Sequence, residues 1–141
     1  MKNIYTALLI LFSLAILSPN TVFAQCDSTA FYANKYMSAE FLSDGQSYRA
    51  LLYDDQMAEF NTTFYGGAKY RIIAYSGLEA EQLVFTLSDK NNTVLFSSAR
   101  QNNTAYWDFE FENTMECKIE AQLDLSKLNS GCAVILIGFE K

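Results

Sequence analysis

The sequence predicts an all-β fold, an antiparallel β-sandwich of the jelly-roll kind with about seven or eight strands after one short helix. Three observations support this fold class. Apolar and polar residues alternate with a period of two over much of the chain, as in half-buried strands. Turn residues interrupt these stretches at intervals of roughly 8 to 15 positions. The chain of 141 residues contains a single proline.

The first element is the only one with helical spacing, and it extends from Cys26 to about Phe41. Its apolar residues recur three or four positions apart, at Ala30, Ala33, Met37 and Phe41. Asp27 and Ser28 precede them and are candidate N-caps. One short helix is therefore expected before the strands.

The strands of the first half have inward-facing apolar residues at every second position. These residues are Tyr48, Ala50, Leu52, Phe60, Phe64, Tyr70, Ile72, Ala74, Leu83, Phe85 and Leu87. Gly66 and Gly67 mark a turn, and residues 89–92 form a second turn into residues 94–96. The strands on either side of this second turn are expected to form a hairpin.

The alternation is clearest in the second half. Residues 107–112 alternate aromatic with acidic, residues 115–125 alternate apolar with polar, and Asn113 and Thr114 between them predict a hairpin turn. The stretch from Cys132 to Phe139 is apolar on both faces apart from Gly138. A strand of this kind is expected at the centre of a sheet that is covered on both sides.

The chain begins with the parts of a secretory signal peptide. Lys2 precedes an apolar stretch at residues 4–17, and cleavage is expected between Ala24 and Gln25. The apolar stretch is shorter than the roughly 20 residues that span a bilayer. Residues 1–24 are thus predicted to be a signal peptide and residues 25–141 one domain, secreted or periplasmic, with no membrane span. The alternative is a lipoprotein anchored through Cys26, which Gln25 at the preceding position disfavours.

Composition restricts the partners. The net charge of −6 becomes more negative once Lys2 is removed. Nucleic acid is not expected as a partner, because phosphate binding needs clustered Lys and Arg. Half of the chain is apolar and 15% is aromatic, so the chain is expected to fold rather than to remain disordered.

A resemblance extends over about residues 46 to 141. It is carried by the stretches 58–60, 63–72, 87–89, 94–96 and 131–139. In the spacing of these residues the chain resembles short uncharacterised secreted β-sandwich proteins of Gram-negative bacteria, and it is loosely similar to pre-peptidase C-terminal domains. The resemblance implies a β-sandwich with an accessory or binding role, and it transfers no catalytic residue.

Catalytic chemistry has little support in the sequence. The chain contains no histidine, which excludes Ser-His-Asp and Cys-His nucleophile arrangements and the usual zinc sites. Paired carboxylates such as Asp54 with Asp55, or Glu110 with Glu112, leave a glycosidase as a remote alternative. Rows of this kind are usually solvated faces, and a non-enzymatic protein is therefore expected.

Calcium is the metal that the sequence could hold, and no other cofactor is expected. Asp54, Asp55 and Asp89 offer carboxylate oxygens on predicted loops, as calcium sites require. The spacing is not that of an EF-hand, and aspartate is also common in turns for backbone reasons alone. Ordinary turns remain the competing interpretation.

Three cysteines are expected in an oxidising compartment. Pairing of Cys117 with Cys132 would connect neighbouring strands and is the first prediction. Pairing of Cys26 with Cys132 or with Cys117 is the alternative and would tie the helix to the sheet. One cysteine must stay free or cross-link to another chain.

Tyrosines are the candidate ligand-binding residues. Tyr65 beside the glycine pair, Tyr75, and Tyr106 beside Trp107 would line a sugar- or peptide-binding face if they are exposed. The function expected is a non-catalytic exported binding or accessory domain for a glycan or an envelope protein. A structural or assembly role in the envelope, through β-edge pairing or an intermolecular disulfide, is the alternative.

Overall fold

The computed structural model describes residues 21–77 and 79–141. Helix α1 spans Thr21–Asn34. The strands of the described residues are β1 (Phe41–Tyr53), β2 (Met57–Phe64), β3 (Ala68–Tyr75), β4 (Leu83–Asp89), β5 (Val94–Ser97), β6 (Tyr106–Phe111), β7 (Met115–Leu123) and β8 (Ser130–Glu140). A 3-10 turn at Ser98–Gln101 connects β5 to β6. The predicted signal peptide, residues 1–24, lies mostly outside the described residues.

The strands form two four-stranded antiparallel sheets. Sheet A has the order β1-β8-β3-β6, and sheet B has the order β2-β7-β4-β5. Strand β1 pairs with β8, β2 with β7, β3 with β6 and β4 with β5. This is the pairing of one long hairpin whose two arms wrap into a sandwich, which is the jelly-roll topology. The predicted fold class is confirmed.

Strand alternation places the main core between the sheets. On β8, Ala133, Ile135 and Ile137 face this core, whereas Cys132, Val134 and Leu136 belong to a second cluster on the other face of sheet A. Both faces of β8 are covered and the strand lies between β1 and β3. The prediction of a central strand covered on both sides is therefore confirmed.

Helix α1 covers the outer face of sheet A. Ala33 is fully buried there, and Tyr36 and Met37 of the following turn pack beside it. The predicted bounds of the helix were wrong. Among the described residues it spans Thr21–Asn34, so Asp27 and Ser28 lie inside it rather than at its N-terminus. Phe41 opens β1 instead, because its backbone pairs with Glu140 of β8.

The two predicted hairpins have different outcomes. Strands β4 and β5 pair across the turn that follows Asp89, as expected. The segment with Asn113 and Thr114 is not a hairpin turn, because β6 pairs with β3 whereas β7 pairs with β2 and β4. Alternation shows that a strand has a buried face, but it does not show which strand lies beside it.

The cysteines pair as Cys26–Cys132, and Cys117 is a buried free thiol. The first prediction, Cys117–Cys132, was wrong for a geometric reason. Cys117 faces the core between the sheets, whereas Cys132 faces the helix on the far side of sheet A. The alternative that ties the helix to the sheet is the pairing observed. The disulfide therefore fixes α1 to the central strand.

Candidate functional site

The three candidate tyrosines occupy unlike environments. Tyr65 follows β2 and is 65% exposed. Tyr75 is 1% exposed, because it lies beneath the turn after α1 with its ring 5.8 Å from that of Tyr36. Burial raises the pKa of its hydroxyl. The prediction of Tyr75 as an exposed ligand-binding residue was wrong, since the helix covers the face of β3 that it occupies.

Tyr106 is partly exposed but serves as a packing partner. The guanidinium of Arg71 lies between the rings of Phe41 and Tyr106, 4.5 and 4.4 Å from their centroids. The same guanidinium donates two hydrogen bonds to Asp108, at 2.7 and 2.8 Å, and a third to the carbonyl oxygen of Tyr36. These contacts hold the segment after α1 against sheet A. They leave Tyr65 as the candidate with a free ring.

Tyr65 stands at the mouth of a cleft that opens between the two sheets. The cleft has a volume of about 400 Å³. We call it the tyrosine cleft, and its lining residues are Asp44, Gln46, Tyr48, Thr62, Thr63, Phe64, Tyr65, Tyr70, Ile137 and Phe139. None of these residues is a lysine or an arginine. The cleft therefore combines aromatic rings with hydrogen-bonding groups and one carboxyl.

A bulge in β1 shapes the cleft. The register with β8 shifts between Ser43, opposite Gly138, and Ser47, opposite Leu136. Three residues of β1, at positions 44–46, thus face one residue of β8. Gly45 adopts a φ of 80°, which a side chain would disfavour. Bulges bend edge strands and redirect their side chains, and this one places Asp44 and Gln46 at the cleft.

Hydrogen bonds within the cleft fix its polar groups. The Asp44 Oδ1 accepts a bond from the Gln46 amide at 2.8 Å, and the Tyr48 hydroxyl donates to Gln46 Oε1 at 3.0 Å. The Tyr70 hydroxyl accepts from the Tyr65 amide at 3.1 Å. Partial desolvation of the Asp44 carboxyl raises its pKa, and the bond from Gln46 opposes this effect. The second Asp44 oxygen makes no hydrogen bond within the described part of the chain.

A second opening lies at the opposite edge of the sandwich, between β5 and β6. It is a groove of about 330 Å³ that we call the edge groove. Its lining residues are Leu87, Leu95, Phe109, Phe111 and Met115, with Glu110, Glu112 and Asn113 as the polar members. Strand β5 is only four residues long, and Phe109 of β6 beside it is only partly buried. Leu95 is 45% exposed.

The carboxylates proposed for calcium do not converge. Asp54 and Asp55 lie in the turn between β1 and β2, at the end of sheet B where β2 begins. Asp89 lies at the opposite end, because it aligns with Cys117 of β7 and through it with Thr62, near the end of β2. No group of three or more metal-ligating side chains occurs among the described residues. Asp54 and Asp55 therefore do not share a site with Asp89, and calcium binding at either turn stays a prediction.

Asp89 instead organises the β4–β5 turn. Its Oδ1 accepts hydrogen bonds from the amides of Asn91 and Thr93, each at 2.8 Å. These bonds, with that from Thr93 first, lower the pKa of the carboxyl. The backbone role of aspartate in turns accounts for the residue.

Sequence reasoning missed most of both openings. It identified Tyr65 as a ligand-binding candidate but not Asp44 or Gln46. It assigned Tyr48 to an inward-facing set and Leu95 to a hairpin only. The usable signal was Asp44-Gly45 inside a strand-like stretch, because glycine inside a strand often marks a bulge. The gap between β5 and β6 has no signal in local sequence, since those strands belong to different sheets.

Comparisons with known proteins identify a fold and no family. No protein-family model matches the sequence, and a search of the curated proteins finds no match. The structure is similar to the crystal structure of PliG from Aeromonas hydrophila, a periplasmic lysozyme inhibitor of g-type lysozyme. The TM-score is 0.51 with 5% sequence identity, over 67% of this chain and 85% of that chain. At this identity the likeness establishes the shared β-sandwich fold alone. The similarity to pre-peptidase C-terminal domains stays a prediction.

Within the described residues, no helix has the length and hydropathy needed to cross a membrane.

Proposed function

We propose that this protein is an exported, non-catalytic binding domain whose partner is a cationic protein, bound at the edge groove. The observation that carries the proposal is the groove itself. Leu95 is exposed and Phe109 and Met115 are partly buried above the buried Leu87 and Phe111. Glu110 and Glu112 also line the groove. Binding sites commonly combine an apolar floor with a polar rim.

Charge selects the kind of partner. The chain carries a net charge of −6, and the charged residues of the groove are both acidic. A positively charged partner would be attracted over long range and oriented by these glutamates, whereas an acidic one would be repelled. An apolar side chain of the partner, flanked by Lys or Arg, would fit both the floor and the rim.

The fold neighbour supports a protein partner and indicates which class to test first. PliG has the same fold and is an inhibitor of g-type lysozyme. Lysozyme is therefore the first class of partner to test for this chain. With so little sequence in common, the binding surface has to be established on this protein's own residues.

Export is part of the proposal. The predicted signal peptide directs the chain out of the cytoplasm, and the Cys26–Cys132 disulfide suits an oxidising compartment. Cleavage between Ala24 and Gln25 would cut within α1 and leave the rest of the helix fixed to β8 by that disulfide. A lipidated Cys26 could not make this bond, which weighs against the lipoprotein alternative.

An assembly role through an intermolecular disulfide has little support. The remaining cysteine, Cys117, is 3% exposed, and burial raises the pKa of its thiol to about 11. Such a thiol is poorly suited to cross-link another chain. Edge pairing through β1 is also discouraged, because bulged edge strands resist it.

Binding to purified g-type and c-type lysozymes, measured by calorimetry and by lysis assays, tests the proposal. We expect binding that weakens with salt, as steered association does. Leu95→Asp should weaken it by at least about tenfold, the loss of one buried apolar contact. Leu42→Asp is the matched control, because Leu42 is also 45% exposed but lies on β1 at the other edge. No binding to either lysozyme, or equal losses in the two variants, would refute the proposal.

A further inference from the structure

The tyrosine cleft is separate from the edge groove. It lies on the β1 and β2 side of the sandwich, and the groove lies between β5 and β6 at the other side. Its chemistry also differs, since tyrosine and threonine hydroxyl groups line the cleft, whereas no hydroxyl side chain lines the groove. The partner proposed for the groove does not account for these groups.

Two rings of the cleft have faces that a ligand can reach. Tyr65 is 65% exposed and Phe139 is 38% exposed, whereas Phe64 beneath them is buried. The ring of Phe64 packs edge-on against Tyr70, 4.9 Å away, and so supports the floor. Aromatic rings with a free apolar face and a polar tip are suited to flat ligands that are apolar on one side.

The polar groups of the cleft are suited to a ligand that forms hydrogen bonds through its hydroxyl groups. Thr62, Thr63, Gln46 and the Tyr48 and Tyr70 hydroxyls provide donors and acceptors, and Asp44 retains a carboxyl oxygen without a partner among the described residues. Carboxylates accept charge-assisted hydrogen bonds, which are about twice as strong as neutral ones. Several such groups around one volume match a ligand with many hydroxyls.

The lining disfavours anionic and quaternary ammonium ligands. With no lysine or arginine in the lining and one carboxyl present, an anionic ligand would be unpaired or repelled. A quaternary ammonium group would need several ring faces around one point, and the cleft offers only two exposed rings. The volume of about 400 Å³ is near the lower end of the ligand-pocket range of roughly 300–1,000 Å³. That size suits a short ligand.

We propose that the tyrosine cleft binds a short neutral saccharide. A sugar ring stacks on Tyr65, its hydroxyls donate to Asp44, and Gln46 and the threonines supply further hydrogen bonds. The contacts among Gln46, Tyr48 and Asp44 already hold these groups in place, which reduces the ordering cost of binding.

The test is an NMR titration of the ¹⁵N-labelled protein with three neutral sugars, maltotriose, cellotriose and triacetylchitotriose, at millimolar concentration. We expect at least one of the three to shift amide resonances of residues 44–46 and 65–67 while leaving those of β5 unchanged. Tyr65→Ala should weaken binding about tenfold or more, and Asp44→Asn, which keeps the shape of the side chain, about three- to tenfold.

Tyr53→Ala is the matched control, because Tyr53 is 52% exposed but lies at the other end of β1. It should bind the sugar within about twofold of the parent protein. Choline and a glucuronic acid oligomer serve as cationic and anionic probes. The proposal is overturned if no neutral sugar shifts the cleft resonances, if either charged probe binds more tightly, or if Tyr53→Ala loses as much affinity as Tyr65→Ala.

Discussion

Removal of the Cys26–Cys132 disulfide should cost this domain much of its stability. The bond joins residues 106 positions apart, and a cross-link that closes a loop of about 100 residues contributes roughly 4.7 kcal/mol by restricting the unfolded chain. Measured values are usually smaller, so we expect Cys26→Ala with Cys132→Ala to lower the free energy of unfolding by about 3–5 kcal/mol. Domains of this kind have about 5–15 kcal/mol in total.

Urea unfolding provides the assay, followed by circular dichroism and by the fluorescence of Trp107. The slope of the free energy against urea should also increase, because the unfolded chain without the cross-link exposes more surface. Parent protein in the presence of a reductant should match the double variant. Both results follow from the same cause, the release of a long loop.

Cys117→Ala is the control for loss of a buried sulfur alone. It leaves the disulfide intact and should cost about 1 kcal/mol through the small cavity it creates in the core. The decrease in unfolding free energy should be larger for the double variant than for Cys117→Ala. Equal decreases would show that the disulfide does not stabilise the fold by restraining the unfolded chain.

Three further predictions concern other parts of the fold. The Cys117 thiol, 3% exposed and with its pKa raised to about 11, should stay unreactive toward a thiol reagent in native protein and react once per chain in urea. Gly66→Ala should destabilise by about 1–3 kcal/mol in thermal melts, because a Cβ there would meet the backbone of Asn113 at 2.8 Å. Hydrogen bonds, that from Thr93 first, lower the pKa of Asp89 in the folded state below its ordinary value of 3.8. The ionised carboxylate should therefore stabilise the fold above pH 3.8, and this stabilisation should be lost as the pH falls through the folded-state pKa. Asp89→Asn should flatten that acid limb in unfolding curves taken from pH 5 to pH 2.

The strands and the jelly-roll class were predictable because burial of one face imposes a period of two on each strand. Which strands and faces lie next to each other could not be predicted. The wrong prediction of a Cys117–Cys132 disulfide shows why. Alternation places Cys117 on a buried face, but it does not show that sheet A has a second buried face beneath the helix, where Cys132 lies. Tyr75 was misjudged for the same reason, because the helix that covers it comes from a distant part of the chain. Asp44 was missed because a bulge shifts the period on which the prediction depends.

The two openings share a physical origin and should nevertheless work independently. Both openings lie at sheet edges, where native proteins often have short or bulged strands. Here β1 is bulged and β5 has four residues, and each opening has an exposed large side chain, Tyr65 in the cleft and Leu95 in the groove. Sites this far apart with no shared residues should act additively, within about 0.3–0.5 kcal/mol. Tyr65→Ala should therefore leave protein binding at the groove unchanged, and Leu95→Asp should leave the sugar titration unchanged. Loss of both activities in either single variant would mean that the sandwich has one binding surface rather than two.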